Sequence, residues 1–289
     1  MSSRPSSSRP GAVRPWQFVG LVLAGIVLIL FAVGRYAEQR GPSPSASPPT
    51  GPAFPTPASP PIPAVNPIQQ ALEPKANVER KAGIGVAVLV DVSGSMSGKV
   101  PDANGRLQPK IEIARRSVLD LLRQCDKAAR ENPDRNIQVG VYEFSSRDRQ
   151  PPCRTITPIG PLDLAVAEVA VRRMVPMGNT PIGNAIITAK QDLDRTGLSR
   201  LHILVVTDGE NNQGYAPVAV VEALAALPEG NRASVYFIAF DIAAAKFRSV
   251  RDAGGLVLAA SNETELQHTL DYVLTGKILA EQPEAPPSR

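Results

Sequence analysis

The segment IGVAVLVDVSGSM, residues 84–96, decides how the rest of the chain is read. Residues 84–90 form a nearly unbroken apolar run rich in β-branched side chains. A run that short and that apolar predicts a strand buried on both faces, as in the middle of a parallel sheet. It ends in Asp91-Val92-Ser93-Gly94-Ser95, which sets one carboxylate and two hydroxyls where the chain must turn. Ligands of open α/β sheets bind beyond the carboxyl ends of the strands. Three hard oxygen donors at such a place suit a small hard cation such as Mg²⁺. Asp and Ser also cap turns and helices, so the DxSxS pattern by itself decides little.

Two further stretches add weight. Gly178-Asn179-Thr180-Pro181-Ile182-Gly183 opens an apolar-periodic segment and puts a hydroxyl at an expected helix start. LHILVVTD, residues 201–208, is a second buried-strand run ending in an acid and followed by Gly209. With these in place the chain resembles the von Willebrand factor A family. The family's metal-ion-dependent adhesion site combines DxSxS after the first strand, a Thr on a middle loop and an Asp after the fourth strand. Asp91, Ser93, Ser95, Thr180 and Asp208 match all five positions in order. The resemblance covers about residues 83–276.

The chain has 289 residues and 29 prolines, too many for one globular unit, and the prolines are unevenly spread. The net charge is +4. Arg4, Arg9, Arg14, Arg35 and Arg40 flank one apolar stretch, and without them the remainder is about neutral. No Lys/Arg cluster interleaved with aromatics occurs in the later part, which argues against nucleic-acid binding.

Residues 1–15 are mostly Ser, Pro and Arg and predict a disordered basic N-terminus. Residues 16–34 carry no charge and have the length of a bilayer-crossing helix, with Trp16 and Tyr36 as interfacial anchors. The alternative is a cleavable signal peptide with Ala32-Val33-Gly34 at its end; the long apolar core favours an uncleaved anchor. Arginines ahead of the segment favour a cytoplasmic N-terminus, and both readings send the rest out of the cytoplasm, periplasmic or extracellular. Residues 41–67 hold eleven prolines and predict a semi-rigid spacer reaching at most about 80 Å at roughly 3.1 Å per residue. A short helical lead-in is expected over 68–81, and a loose Pro/Glu tail over 281–289.

From residue 83 the pattern alternates strand and helix, which predicts a doubly wound, mostly parallel six-stranded α/β sheet flanked by helices. Strands are expected at 84–90, 137–144, 153–159, 201–207, 233–240 and 256–260, the third pairing as a hairpin with the second. Helices are expected at 110–129, 162–174, 180–195, 217–227, 243–252 and 263–274. Residues 98–109 read as a polar excursion. Cys125 and Cys153 are either a disulfide, which an oxidising compartment permits, or two buried thiols. His202 and His268 fall within a strand and a helix, where His202 reads as a core residue.

The resemblance implies that the ion is Mg²⁺, with Mn²⁺ or Ca²⁺ as alternatives. It implies that the hydroxyls bind directly, that one or both acids act partly through water, and that an acidic residue of a protein partner completes the shell. Glu210, Asn211 and Asn212 lie next to Asp208, either shaping partner choice or forming a solvated loop. No CxxC, HExxH, GxSxG or phosphate-loop pattern is present, so the expectation is a binding protein with no catalytic residues. Two other readings stay open: an accessory partner of an AAA-type ATPase, which requires a cytoplasmic domain, and a metal-dependent hydrolase with Glu210 as base. Oligomeric state is not legible.

Overall fold

The structure, a computed structural model, describes residues 66–74 and 78–283. The basic N-terminus (1–15), the apolar segment (16–34) and the Pro-rich stretch up to residue 65 lie outside the described residues, as do 75–77 and 284–289. Among the described residues no helix is long and apolar enough to cross a membrane.

The first described element, α1 (Pro67–Leu72), is the helical lead-in expected over 68–81, begun one residue earlier and ended at Leu72. Asn66 caps it by accepting from the Ile68 N–H at 3.0 Å, and Pro67 takes the first turn, where its missing N–H costs nothing. Strand β1 (Lys81–Asp91) follows. The stretch read as a polar excursion contains a hairpin of β2 (Lys99–Pro101) and β3 (Leu107–Pro109). Its three-residue strands are too short to show alternation, and its turn is made by Asp102, whose carboxylate accepts from the N–H groups of Asn104 and Arg106.

The long helix α2 (Lys110–Glu131) leads to β4 (Ile137–Phe144) and β5 (Cys153–Gly160). Then come α3 (Leu164–Arg172), α4 (Ile182–Thr196), β6 (Leu198–Thr207), α5 (Pro217–Ala226) and β7 (Ser234–Phe240). A 3₁₀ turn (Ala244–Phe247) precedes the short α6 (Arg248–Asp252), so the single helix expected over 243–252 is two pieces. Strand β8 (Leu256–Ala260), α7 (Glu263–Val273) and a π-helical turn (Leu274–Ile278) complete the order.

The six long strands form one sheet in the order β5-β4-β1-β6-β7-β8, parallel except for β5, which runs antiparallel to β4. The fold expectation therefore holds, including the β4–β5 hairpin. Successive β1 side chains point to opposite faces. Ile84, Val86, Val88 and Val90 join α2, α3 and α7 in one core, while Ala87 and Leu89 join α1, α4, α5 and α6 in the other. Both faces are covered, which explains why β1 and β6 read as continuous apolar runs. Each fully buried Val, Leu or Ile contributes about 1.5–3 kcal/mol.

Cys125 lies in the first core and Cys153 in the second, both as free thiols. The sheet separates them, so the disulfide alternative is excluded. The tail is not loose at its start: Arg135 donates to the carbonyls of Leu279 and Glu281, both at 2.7 Å.

Candidate metal-binding site

Asp91 ends β1 and Asp208 follows β6 by one residue. The two strands are parallel neighbours in the sheet's centre, with Val90 opposite Val206. From β1 the chain turns to β4 on one side, and β6 lies on the other, so both acids stand at the topological switch point.

Between them the 3₁₀ turn Gly94–Ser97 folds the serines back over the strand ends. The Ser93 and Ser95 hydroxyls lie 3.0 Å apart, and the Ser95 hydroxyl donates to Asp208 Oδ1 at 2.6 Å. Residues before Thr180 are laced to this turn: the Met177 N–H donates to Val92 O at 2.7 Å, and the Gly94 N–H to Gly178 O at 3.0 Å. Gly178 has φ +86°, and a Cβ there would meet Ser146 O at 2.0 Å, so no other residue fits this crossing.

Thr180 is 3% exposed, yet its hydroxyl makes no hydrogen bond among the described residues and does not cap α4, which starts at Ile182. Its backbone is gripped by Asn212, whose side-chain oxygen accepts from Thr180 N at 2.8 Å and whose N–H donates to Thr180 O at 3.2 Å. Asn211 likewise accepts from Gly183 N at 3.4 Å. Both asparagines thus fix the threonine loop, while Glu210 pairs with Lys246 at 3.0 Å on the rim.

Both carboxylates carry a donor on each oxygen. Asp91 accepts from Ser93 N at 2.7 Å and from the Thr207 hydroxyl at 2.6 Å. Asp208 accepts from Ser95 and, on Oδ2, from Lys110 Nζ at 3.0 Å. Burial pushes the Asp91 carboxyl up to about 7, with the Asp208 charge adding to the rise against hydrogen bonds from Thr207 and Ser93. Lys110 also reaches Asp241 Oδ2 at 2.8 Å. Burial opposes its charge, but its bonds to Asp241 and Asp208 prevail and hold the ammonium above its usual range.

The structure therefore brings Asp91, Ser93, Ser95, Thr180 and Asp208 to one edge of the sheet. Whether the set suits a cation can be tested at Gly209. A Cβ on that residue would meet Thr180 Oγ1 at 3.4 Å and Ser95 Oγ at 3.7 Å, so a bare backbone faces two hydroxyls from separate loops. With Ser93 beside Ser95 and two buried acids hydrogen-bonded to the same turn, these are hard oxygens of the kind a divalent cation takes. Among the described residues no group of three His, Cys, Asp or Glu is poised for a metal, so a centre here depends on hydroxyl oxygen.

Sequence reasoning missed Thr207, Lys110 and Asp241, and it named Asn212 for the rim, whereas the residue holds the Thr180 backbone. One signal pointed to Lys110: a cation at the first position of a helix opposes the helix dipole unless local acids hold it. Neither histidine is near the site's hydrogen bonds. His202 is buried, with Nδ1 3.2 Å from the Tyr236 hydroxyl, but its Nε2 has no hydrogen bond, so it is only half satisfied. Burial, with the Arg200 charge, pushes its pKa down to about 4.

Residues 86–210 match the family described as von Willebrand factor type A domain. The uncharacterized protein YwmD of Bacillus subtilis is 25% identical over 177 residues, spanning 58% of this chain and 74% of YwmD. The conserved hypothetical protein BatB of Bacteroides thetaiotaomicron is similar in structure, with TM-score 0.52 and 21% identity over 69% of this chain and all of BatB. The PilB minor pilin of Streptococcus sanguinis superposes with TM-score 0.53 and 15% identity, over 70% of this chain and 62% of the pilin. The likenesses to solved structures are to the fold, and the match to the von Willebrand factor type A domain is confined to residues 86–210.

Proposed function

We propose that this chain is a membrane-anchored binding module that captures an acidic side chain of a protein partner through a divalent cation, Mg²⁺ first among the candidates. The observation that carries the reading is the convergence of the Ser93, Ser95 and Thr180 hydroxyls at the switch point, above two buried carboxylates. A bound cation would supply an electrophilic centre for a partner's carboxylate. Ser93, Ser95 and Thr180 would hold it directly. Asp91 and Asp208 offset its charge while their hydrogen bonds keep them oriented. Asn212 sets Thr180 in place, and Gly209 leaves room between Thr180 and Ser95. Residues 16–34 would fasten the module to a membrane and 41–65 hold it off the surface, with residues 83–276 outside the cytoplasm.

Divalent ion should raise the melting temperature by mass action, by the equivalent of about 2.7 kcal/mol at a hundredfold excess over its dissociation constant. Thr180→Ala should abolish that increment, together with chelator-sensitive crosslinking to a partner on intact cells, without altering the circular dichroism spectrum. A Thr180→Ala protein that responds to metal like the parent would refute the site. Protease added outside the inner membrane should release the 83–276 head; a protected head would put it in the cytoplasm and favour the ATPase-partner role.

A further inference from the structure

We infer that Lys110, steadied by Asp241, is a positioning residue that keeps Asp208 out of direct contact with a bound cation and tunes how strongly the site holds it. The inference rests on the metal-binding reading above and concerns what the chain itself brings to that site. Lys110 is the first residue of α2, and its N–H donates to Gly98 O at 2.7 Å, which ties the helix start to the end of the serine turn. A Cβ on Gly98 would stand 3.4 Å from Lys110 Cε, so the side chain is packed along that turn on its way to the acids. Its ammonium then bridges Asp208 at 3.0 Å and Asp241 at 2.8 Å.

The two acids are unlike. The Asp208 side chain is fully buried, whereas that of Asp241 is 41% exposed and stands on a backbone with φ +53°. A non-glycine residue in that left-handed conformation is uncommon and is held where surrounding contacts demand it. Here the Asp241 N–H donates to Ala260 O at 2.7 Å, which fixes the residue beside Lys110. Asp241 thus anchors the lysine from the solvent side.

The consequence falls on Asp208. Its Oδ1 is taken by the Ser95 hydroxyl and its Oδ2 by Lys110. Ser95 can offer a lone pair outward while still donating its proton to Asp208, but the lysine has no lone pair to offer. With Lys110 in place, Asp208 acts as a second-sphere acceptor, and one positive charge stands beside the divalent ion. Such a site binds its ion more weakly and leaves it more electron-poor than the five residues alone would, which favours an added carboxylate from outside.

Manganese(II) alone is the probe, titrated calorimetrically into the full-length chain in detergent, with water-proton relaxation read on the same samples. Lys110→Met should tighten Mn²⁺ binding roughly tenfold, the scale of removing one unit charge a few ångströms from a divalent ion in a water-like dielectric. It should also lower the relaxivity of bound Mn²⁺, because Asp208 displaces a water. Lys110→Arg should restore parental affinity and relaxivity, which a merely structural role would not require. Asp241→Asn should leave Lys110 on Asp208 and weaken Mn²⁺ binding. Parental affinity and relaxivity in a folded Lys110→Met protein would overturn the inference while leaving the metal site intact. Failure of the parent and every variant to bind Mn²⁺ would instead sink the metal-binding reading itself.

Discussion

The carboxyl end and the middle of β6 solve the same problem in opposite ways. At the carboxyl end, Thr207 turns its hydroxyl onto the buried Asp91 and Asp208 finds Ser95 and Lys110, so each carboxylate oxygen has a donor. Five residues earlier, His202 lies in the same strand with one ring nitrogen against Tyr236 and the other without a hydrogen bond. The carboxyl end surrounds its acids with donors; the middle keeps a titratable group neutral by burying it. Polar groups under a sheet are thus tolerated on two terms, and only the first leaves chemistry at the surface.

The contrast can be broken most violently at Gly178. Gly178→Ala adds a Cβ against Ser146 O and strains a positive φ, so it should cost about 3 kcal/mol or more and abolish metal binding. Urea unfolding and a Mn²⁺ titration read the two losses. A folded, metal-binding Gly178→Ala protein would show that the crossing of loops 92–94 and 177–179 is softer than drawn.

Asp91 gives the next effect, with a sign set by its raised pKa. A carboxyl that titrates near 4 unfolded and near 7 folded binds its proton more tightly in the native state. Stability of the metal-free protein from this group is therefore full below about 4 and is lost as pH rises towards 7. Asp91→Asn should flatten that slope and stabilise the metal-free protein at pH 8 by a few kcal/mol, while removing the stabilisation that divalent ion confers. If Asp91→Asn destabilises at pH 8, the carboxylate is better satisfied than its burial implies.

His202 should act in the other direction. Its pKa falls from 6.5 unfolded to about 4 folded, so its contribution is present above 6.5 and lost as pH drops towards 4. His202→Leu should reduce acid sensitivity in that window by about 1–3 kcal/mol, seen as a smaller fall in melting temperature between pH 7 and 5. A variant with the parental acid profile would mean the imidazole finds a partner on protonation, and Glu281, 3.7 Å away, is the group to examine. The smallest effect concerns the thiols. Reductant should not shift the melting temperature, and the denatured chain should titrate with two free thiols; one bridge would contradict cores on opposite faces of the sheet.

How much of this was legible in the sequence follows from where each residue stands. Asp91, Ser93, Ser95, Thr180 and Asp208 interrupt or end apolar runs, and such interruptions are what periodicity exposes. The sheet was legible for the same reason, since β1 and β6 are buried on both faces. Lys110, Thr207 and Asp241 sit at or beside element ends, where polar residues are ordinary. Their meaning comes from partners far along the chain, 98 residues away for Lys110 and Asp208 and 116 for Thr207 and Asp91. The β2–β3 hairpin was illegible because two three-residue strands carry no period. The splitting of 243–252 follows from a 3₁₀ turn that has no side-chain cap to announce it.

The placement of β1 has a mechanical meaning. Its first residue, Lys81, and its last, Asp91, are the length of the sheet apart, about 33 Å at 3.3 Å per residue. On both sides the strand is zipped in continuous parallel register through residues 84–90, to β4 and to β6, with a register shift towards β6 between Lys81 and Ile84. A pull between residue 81 and a ligand seated at the 91–95 loop would run along the strand axis. Both ladders would then be loaded in shear, all rungs sharing the tension, instead of being unpeeled one rung at a time.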